Sequence, residues 1–123
     1  MSTNATSIDL RAAFEEIRTL VLNGQAMEAF EKYYGDDVVM QENDYPPTIG
    51  KEANRQRELE FFSKITEFRG LELKSVAFGD DVIISEWFAD YTHADWGNRT
   101  YQQVSVQKWQ NGKVVHERFY YAS

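Results

Sequence analysis

The stretch from Tyr101 to Tyr121, YQQVSVQKWQNGKVVHERFYY, decides how this chain folds. Two runs rich in valine and aromatic residues flank Asn111-Gly112. That dipeptide suits a two-residue type I′ turn, because both of its positions need a positive φ. The turn sets Gln110 opposite Lys113. An uninterrupted ladder then sets Lys108 opposite Val115, Val106 opposite Glu117 and Val104 opposite Phe119. The other face, with Trp109, Gln107, Ser105, Val114, His116, Arg118 and Tyr120, is the more polar, so the valine face is the expected inner wall. Glu117 then stands as an acid on an otherwise apolar surface.

Upstream, the pattern continues as strands. Gly70 to Phe78 leads into the turn Gly79-Asp80-Asp81, Val82 to His93 into Asp95-Trp96-Gly97-Asn98, and Arg99 to Gln110 into the hairpin. Lys113 to Ala122 closes the series. The N-terminal half has a different period. Leu10, Phe14, Ile17 and Val21 recur as one helical stripe, with Ser7 as its expected cap and Gly24 at its end. Met27, Phe30 and Tyr34 form a second, shorter stripe closed by Gly35. Asp37 to Glu42 alternates as a strand, with Val38, Met40 and Glu42 on one face, and Pro46-Pro47 breaks it. Gly50 precedes a third helix, Lys51 to Thr66, with Leu59, Phe62 and Ile65 turned inward. Helices followed by an antiparallel meander define an α+β chain. No linker, repeat or low-complexity segment interrupts it, so residues 1–123 are expected to form one domain, with 1–7 flexible.

Composition narrows the function classes. A length of 123 residues suits one core, and 42% hydrophobic with 15% aromatic residues argues for a globular chain over a disordered one. The formal charge of −7 repels phosphate backbones and anionic lipid, so neither nucleic acid nor a membrane is an expected partner. No apolar run is long enough for a membrane span, and the polar start lacks a signal-peptide pattern, which makes the cytoplasm the expected location. The absence of cysteine excludes disulfides, thiolate metal sites and cysteine nucleophiles.

The order of elements resembles the SnoaL-like proteins. So do the stretches Tyr34-Gly-Asp-Asp-Val-Val-Met40, Ile49-Gly-Lys-Glu52, Tyr101 to Val106 and Gly112 to Tyr121. Their superfamily also holds nuclear transport factor two, scytalone dehydratase and ketosteroid isomerase. The resemblance implies a cone-shaped roll, with N-terminal helices packed against a curved, mostly antiparallel sheet and a pocket at its open end. It also implies a homodimer through the outer sheet face. On the ketosteroid-isomerase pattern, Glu42 stands where that family carries its proton-shuttling acid. Ile17 stands at or near its tyrosine, and Arg99 to Gln110 holds no acid, so both donors to the enolate oxygen are replaced. On the SnoaL-like cyclase pattern, Glu117 and Phe119 hold the places of a histidine and an aspartate on the last strand.

Three side chains are therefore candidates for acid/base work: Glu42, Glu117 and His93, the last beside Asp95. The ligand wall is expected from Ile17, Met40, Tyr45, Phe62, Trp87, Trp96, Val104, Val106, Phe119 and Tyr121, with Trp96 at the mouth. The bland alternatives are a solvated rim for Glu42, a paired acid for Glu117, an edge histidine for His93 and ordinary core for the aromatics. One histidine and scattered acids lack metal-ligand spacing, and no metal or cofactor is expected. Two readings of function remain. One is a binder of an apolar, cyclic or carbonyl-bearing small molecule, with isomerase- or cyclase-type acid/base chemistry. The other is a non-catalytic dimeric carrier or protein-interaction module.

Overall fold

The computed structural model describes residues 9–122, so the expected cap at Ser7 and the flexibility of residues 1–7 lie outside the described residues. Asp9 caps the first helix. Its carboxylate accepts from the backbone N–H of Arg11 at 2.9 Å and of Ala12 at 3.3 Å, satisfying donors that have no partner within the helix. Helix α1 (Leu10–Leu22) buries Ala13, Phe14 and Ile17, and α2 (Ala26–Tyr33) buries Ala29 and Phe30. There follow β1 (Tyr34–Glu42), β2 (Thr48–Ile49), α3 (Lys51–Ser63), β3 (Ile65–Phe78), β4 (Val82–His93), β5 (Gly97–Gln110) and β6 (Lys113–Tyr121). The strands form one sheet in the order β2-β1-β6-β5-β4-β3. Every pairing is antiparallel except β1 with β6. The helices pack on its inner face as an α+β cone-shaped roll. Phe14, Phe30, Val38, Ile83, Trp87, Trp109 and Val114 make the centre of the core.

Four local expectations need correction. Tyr34 is the first residue of β1 and not the last of α2, so Gly35 lies in a strand. Helix α3 stops at Ser63, and β3 starts at Ile65, earlier than Gly70, with three register shifts along its pairing to β4. Nor does α3 turn Leu59 inward, since that residue is exposed. Its fully buried residue is Asn54, whose Nδ2 lies 2.8–3.3 Å from the carbonyls of Gly50, Thr48 and Val38 and ties the helix to β1 and β2. Glu58 follows one turn later, at i+4 on the same face.

The fourth correction moves the site. The turn forms as expected, with φ of 53° at Asn111 and 78° at Gly112, and Gln110 pairs Lys113. Trp109 then pairs Val114, but Lys108 pairs His116, so Val115 is an extra residue. This β-bulge inverts the parity of β6 against β5. Glu117 faces Gln107 and Phe119 faces Ser105. Val104 and Val106 accordingly share the outer face, and the inner wall of β5 is Gln103, Ser105, Gln107 and Trp109. The bulge lets Trp109 and Val114 both enter the core, 5% and 0% exposed, while Glu117 still points inward.

Candidate functional site

A cavity of about 180 Å³ lies between the helices and the inner wall. Phe14, Ile17 and Val21 of α1, Ala29 and Phe30 of α2, and Phe62 of α3 supply its apolar side. From the sheet come Leu71, Trp87, Ala89 and Phe119. A polar strip crosses this lining: Ser85, Gln103, Ser105, Gln107 and Glu117 from β4 to β6, Tyr34 from β1 and Glu58 from α3.

Glu117 is the hub of the strip and is 3% exposed. One carboxylate oxygen accepts from the Tyr34 hydroxyl. The other accepts from Ser105 Oγ at 2.7 Å and from Gln107 Nε2 at 2.9 Å. The indole N–H of Trp109 donates to Gln107 Oε1 at 3.2 Å, which fixes the amide with its NH₂ toward Glu117. Burial pushes the Glu117 carboxyl above the ordinary range, and the three donors pull it the other way without cancelling the rise. Burial, and then the neighbouring Glu117, push the Tyr34 hydroxyl well above its usual value, so it stays a donor.

Glu58 is the second acid of the cavity and differs in kind. Among the described residues it makes no hydrogen bond and no ion pair. Burial and then the charge of Glu117 push it up to about 7, against a smaller opposing pull from Arg57 and with a small further push from Glu42. A carboxyl with no partner, poised near neutrality on an apolar wall, matches what proton transfer at neutral pH requires.

The structure brings part of the expected set together. Glu117, Ile17, Phe62, Trp87 and Phe119 line this cavity. Met40 is buried in the core, and Tyr45 is exposed. Glu42 lies off the cavity lining, in an ion pair with Arg57 at 2.8 Å and accepting from the Tyr121 hydroxyl. The Tyr121 ring packs against Tyr101 with centroids 5.3 Å apart. His93 is 2% exposed, its Nδ1 accepting from the Asp95 N–H at 3.1 Å, and its ring is stacked on Trp96 at 3.7 Å. Trp96 thus covers a histidine beyond the cavity lining. Glu58, Tyr34, Ser105 and Gln107 were not anticipated. Glu58 sits in the charged run Arg55-Gln-Arg-Glu-Leu-Glu60, which reads as a solvated face. Its one signal is the spacing Asn54, Glu58, Phe62.

Among the described residues no three histidine, aspartate or glutamate side chains are grouped to hold a metal ion, and no helix is long and apolar enough to cross a membrane.

By its architecture the chain carries the SnoaL-like fold of the nuclear-transport-factor-two-like superfamily. A candidate SnoaL-like polyketide cyclase from Mesorhizobium loti, which also bears the label carbohydrate phosphatase, superposes with a TM-score of 0.83. It is 26% identical over 93% of this chain and 100% of its own. A nuclear-transport-factor-two-like protein of unknown function from Burkholderia xenovorans gives 0.74 at 22% identity, over 92% of this chain and 82% of its own. A candidate isomerase from Rhodopseudomonas palustris gives 0.72 at 16% identity, over 95% and 92%. No protein-family model and no curated protein matches the sequence itself.

Proposed function

We propose that this protein binds a small, apolar, one-ring molecule bearing a carbonyl and moves a proton on it. The observation that carries the reading is Glu58, an unpaired carboxyl on the apolar cavity wall beside Glu117. The volume sets the ligand size. At about 180 Å³ the cavity is slightly larger than the roughly 150 Å³ that accepts a benzene ring, and well short of the roughly 300 Å³ and more typical of drug-sized ligands. Glu58 takes the proton from the carbon next to the carbonyl, and its acid form returns that proton at another carbon, so the net change is an isomerisation. Gln103 lines the cavity and its side-chain amide is uncommitted among the described residues, which makes it the donor to the oxygen where charge develops. Glu117, holding three donors already, serves as a fixed neighbour that keeps the proton affinity of Glu58 high. Glu42 and His93 stand off the cavity lining and take no part in these steps.

The test is deuterium wash-in at the α-carbons of cyclohexanone, followed by proton NMR in heavy water. The wild-type protein accelerates exchange over buffer, and Glu58→Gln lowers the rate at least ~100-fold with folding intact. An unaccelerated wild type, or a Glu58→Gln variant as fast as the wild type, contradicts the reading.

The assembly we infer is a homodimer through the outer sheet face, where Ile84 is exposed and Val104 and Val106 are half-buried. Light scattering at micromolar concentration then gives twice the 14.3 kDa chain mass, and a monomer mass contradicts it.

A further inference from the structure

The inner face of β5 does not end with the cavity. Gln103 lines it, and Tyr101 and Arg99 continue the same face two and four residues further along the strand. Arg99 is anomalous there. Its guanidinium lies 5.2 Å over the Tyr101 ring, yet among the described residues it makes no hydrogen bond and no ion pair. Its Nε is buried without a partner. Arg18, Arg55, Arg57, Arg69 and Arg118 each meet a carboxylate, in a chain whose acids outnumber its bases by seven. Arg11, which lies 4.5 Å over the Phe78 ring, is exposed to solvent where Arg99 is half-buried. The nearby phenols are engaged elsewhere, Tyr101 with the Tyr91 hydroxyl at 2.7 Å and Tyr121 with Glu42. A half-buried guanidinium left this way forfeits the charge-assisted bonds that normally offset its desolvation.

We propose that Arg99 receives the anionic end of the ligand, so that the molecule held in the cavity carries a carboxylate on a short chain. The inference rests on the cavity reading above and adds the ligand's second group. Four residues of strand span about 13 Å, and the arginine side chain reaches back over part of that distance. The ring and the carboxylate are therefore separated by a spacer of several methylenes, lying along Tyr101 and Tyr121, whose rings supply the apolar track. A planar guanidinium takes a carboxylate through two parallel N–H donors. The overall charge of −7 disfavours any anion, so a preference for a carboxylate over its neutral counterpart has to come from a local cation.

Calorimetric titration with 4-phenylbutyrate and 4-phenylbutan-1-ol separates the two levels of the argument. The wild type binds the carboxylate at least about tenfold more tightly than the alcohol. Arg99→Gln brings the carboxylate to the affinity of the alcohol and leaves the alcohol unchanged, which also reports an intact cavity. Equal binding of the two probes by the wild type, or a preference that survives Arg99→Gln, overturns the role of Arg99 and leaves the cavity reading standing. If neither probe binds, the cavity reading falls and this inference falls with it.

Discussion

Glu42 and Glu117 sit on adjacent strands, one step apart in the parallel pairing that sets Met40 beside Glu117 and Glu42 beside Phe119. Their surroundings could hardly differ more. Glu42, its side chain one-third exposed, is matched by the cation of Arg57 and the hydroxyl of Tyr121. Glu117 is buried and meets only neutral donors: a phenol, a hydroxyl and an amide. One acid is a rim charge neutralised by a partner. The other is held in apolar surroundings by hydrogen bonds alone, and it spreads its influence to Glu58 across the same cavity. The comparison teaches that strand parity selects which acids face inward, while the presence or absence of a cation decides which of them is available for proton chemistry.

The largest expected effect comes from breaking the buried side of the comparison. Glu117→Ala leaves three buried donors without an acceptor and removes volume from the core, at a cost of about 3 kcal/mol in urea unfolding. Glu42→Ala releases Arg57 and Tyr121 toward solvent and costs under about 1 kcal/mol by the same assay. Equal losses would erase the distinction between the two acids.

A smaller effect follows from pH. The folded-state pKa of Glu58 lies above its unfolded value near 4.5, so its contribution to stability is fully present below about pH 4.5 and is lost as pH rises through 7. Solvent reaches part of this side chain, and the loss between pH 5 and pH 8 is therefore about 2 kcal/mol, less than the full shift implies. Glu58→Gln removes that part of the slope. Thermal unfolding of the two proteins at pH 5 and pH 8 compares them, and parallel slopes would count against a raised Glu58.

Much of the fold was legible in the sequence because it rests on local chemistry. Asn111-Gly112 can close a type I′ hairpin whatever surrounds it, and the stripe Leu10, Phe14, Ile17, Val21 has one helical face to bury. The order of elements then led to the right fold family. The site was half legible. The sequence pattern turns Glu117 and Phe119 inward on β6 but sets their partners on β5 one residue away from Gln107 and Ser105. Nothing in Lys113-Val-Val-His116 says which valine is extra; that depends on the joint burial of Trp109 and Val114. Glu58 is hidden because a charged run on a helix looks like a surface, whereas this turn of α3 faces the cavity. Tyr34 fits the stripe of the helix before it, yet it opens β1, from where its hydroxyl reaches Glu117.

The most direct test of the account follows the carboxyl carbons of ¹³C-labelled glutamate by NMR from pH 3 to pH 9, with Glu58→Gln to assign the signal. The account predicts that the signal lost in that variant titrates with a midpoint near 7. A midpoint near 4.5 would contradict it, because Glu58 would then be an ordinary ionised carboxylate with no capacity to hold and return a proton at neutral pH.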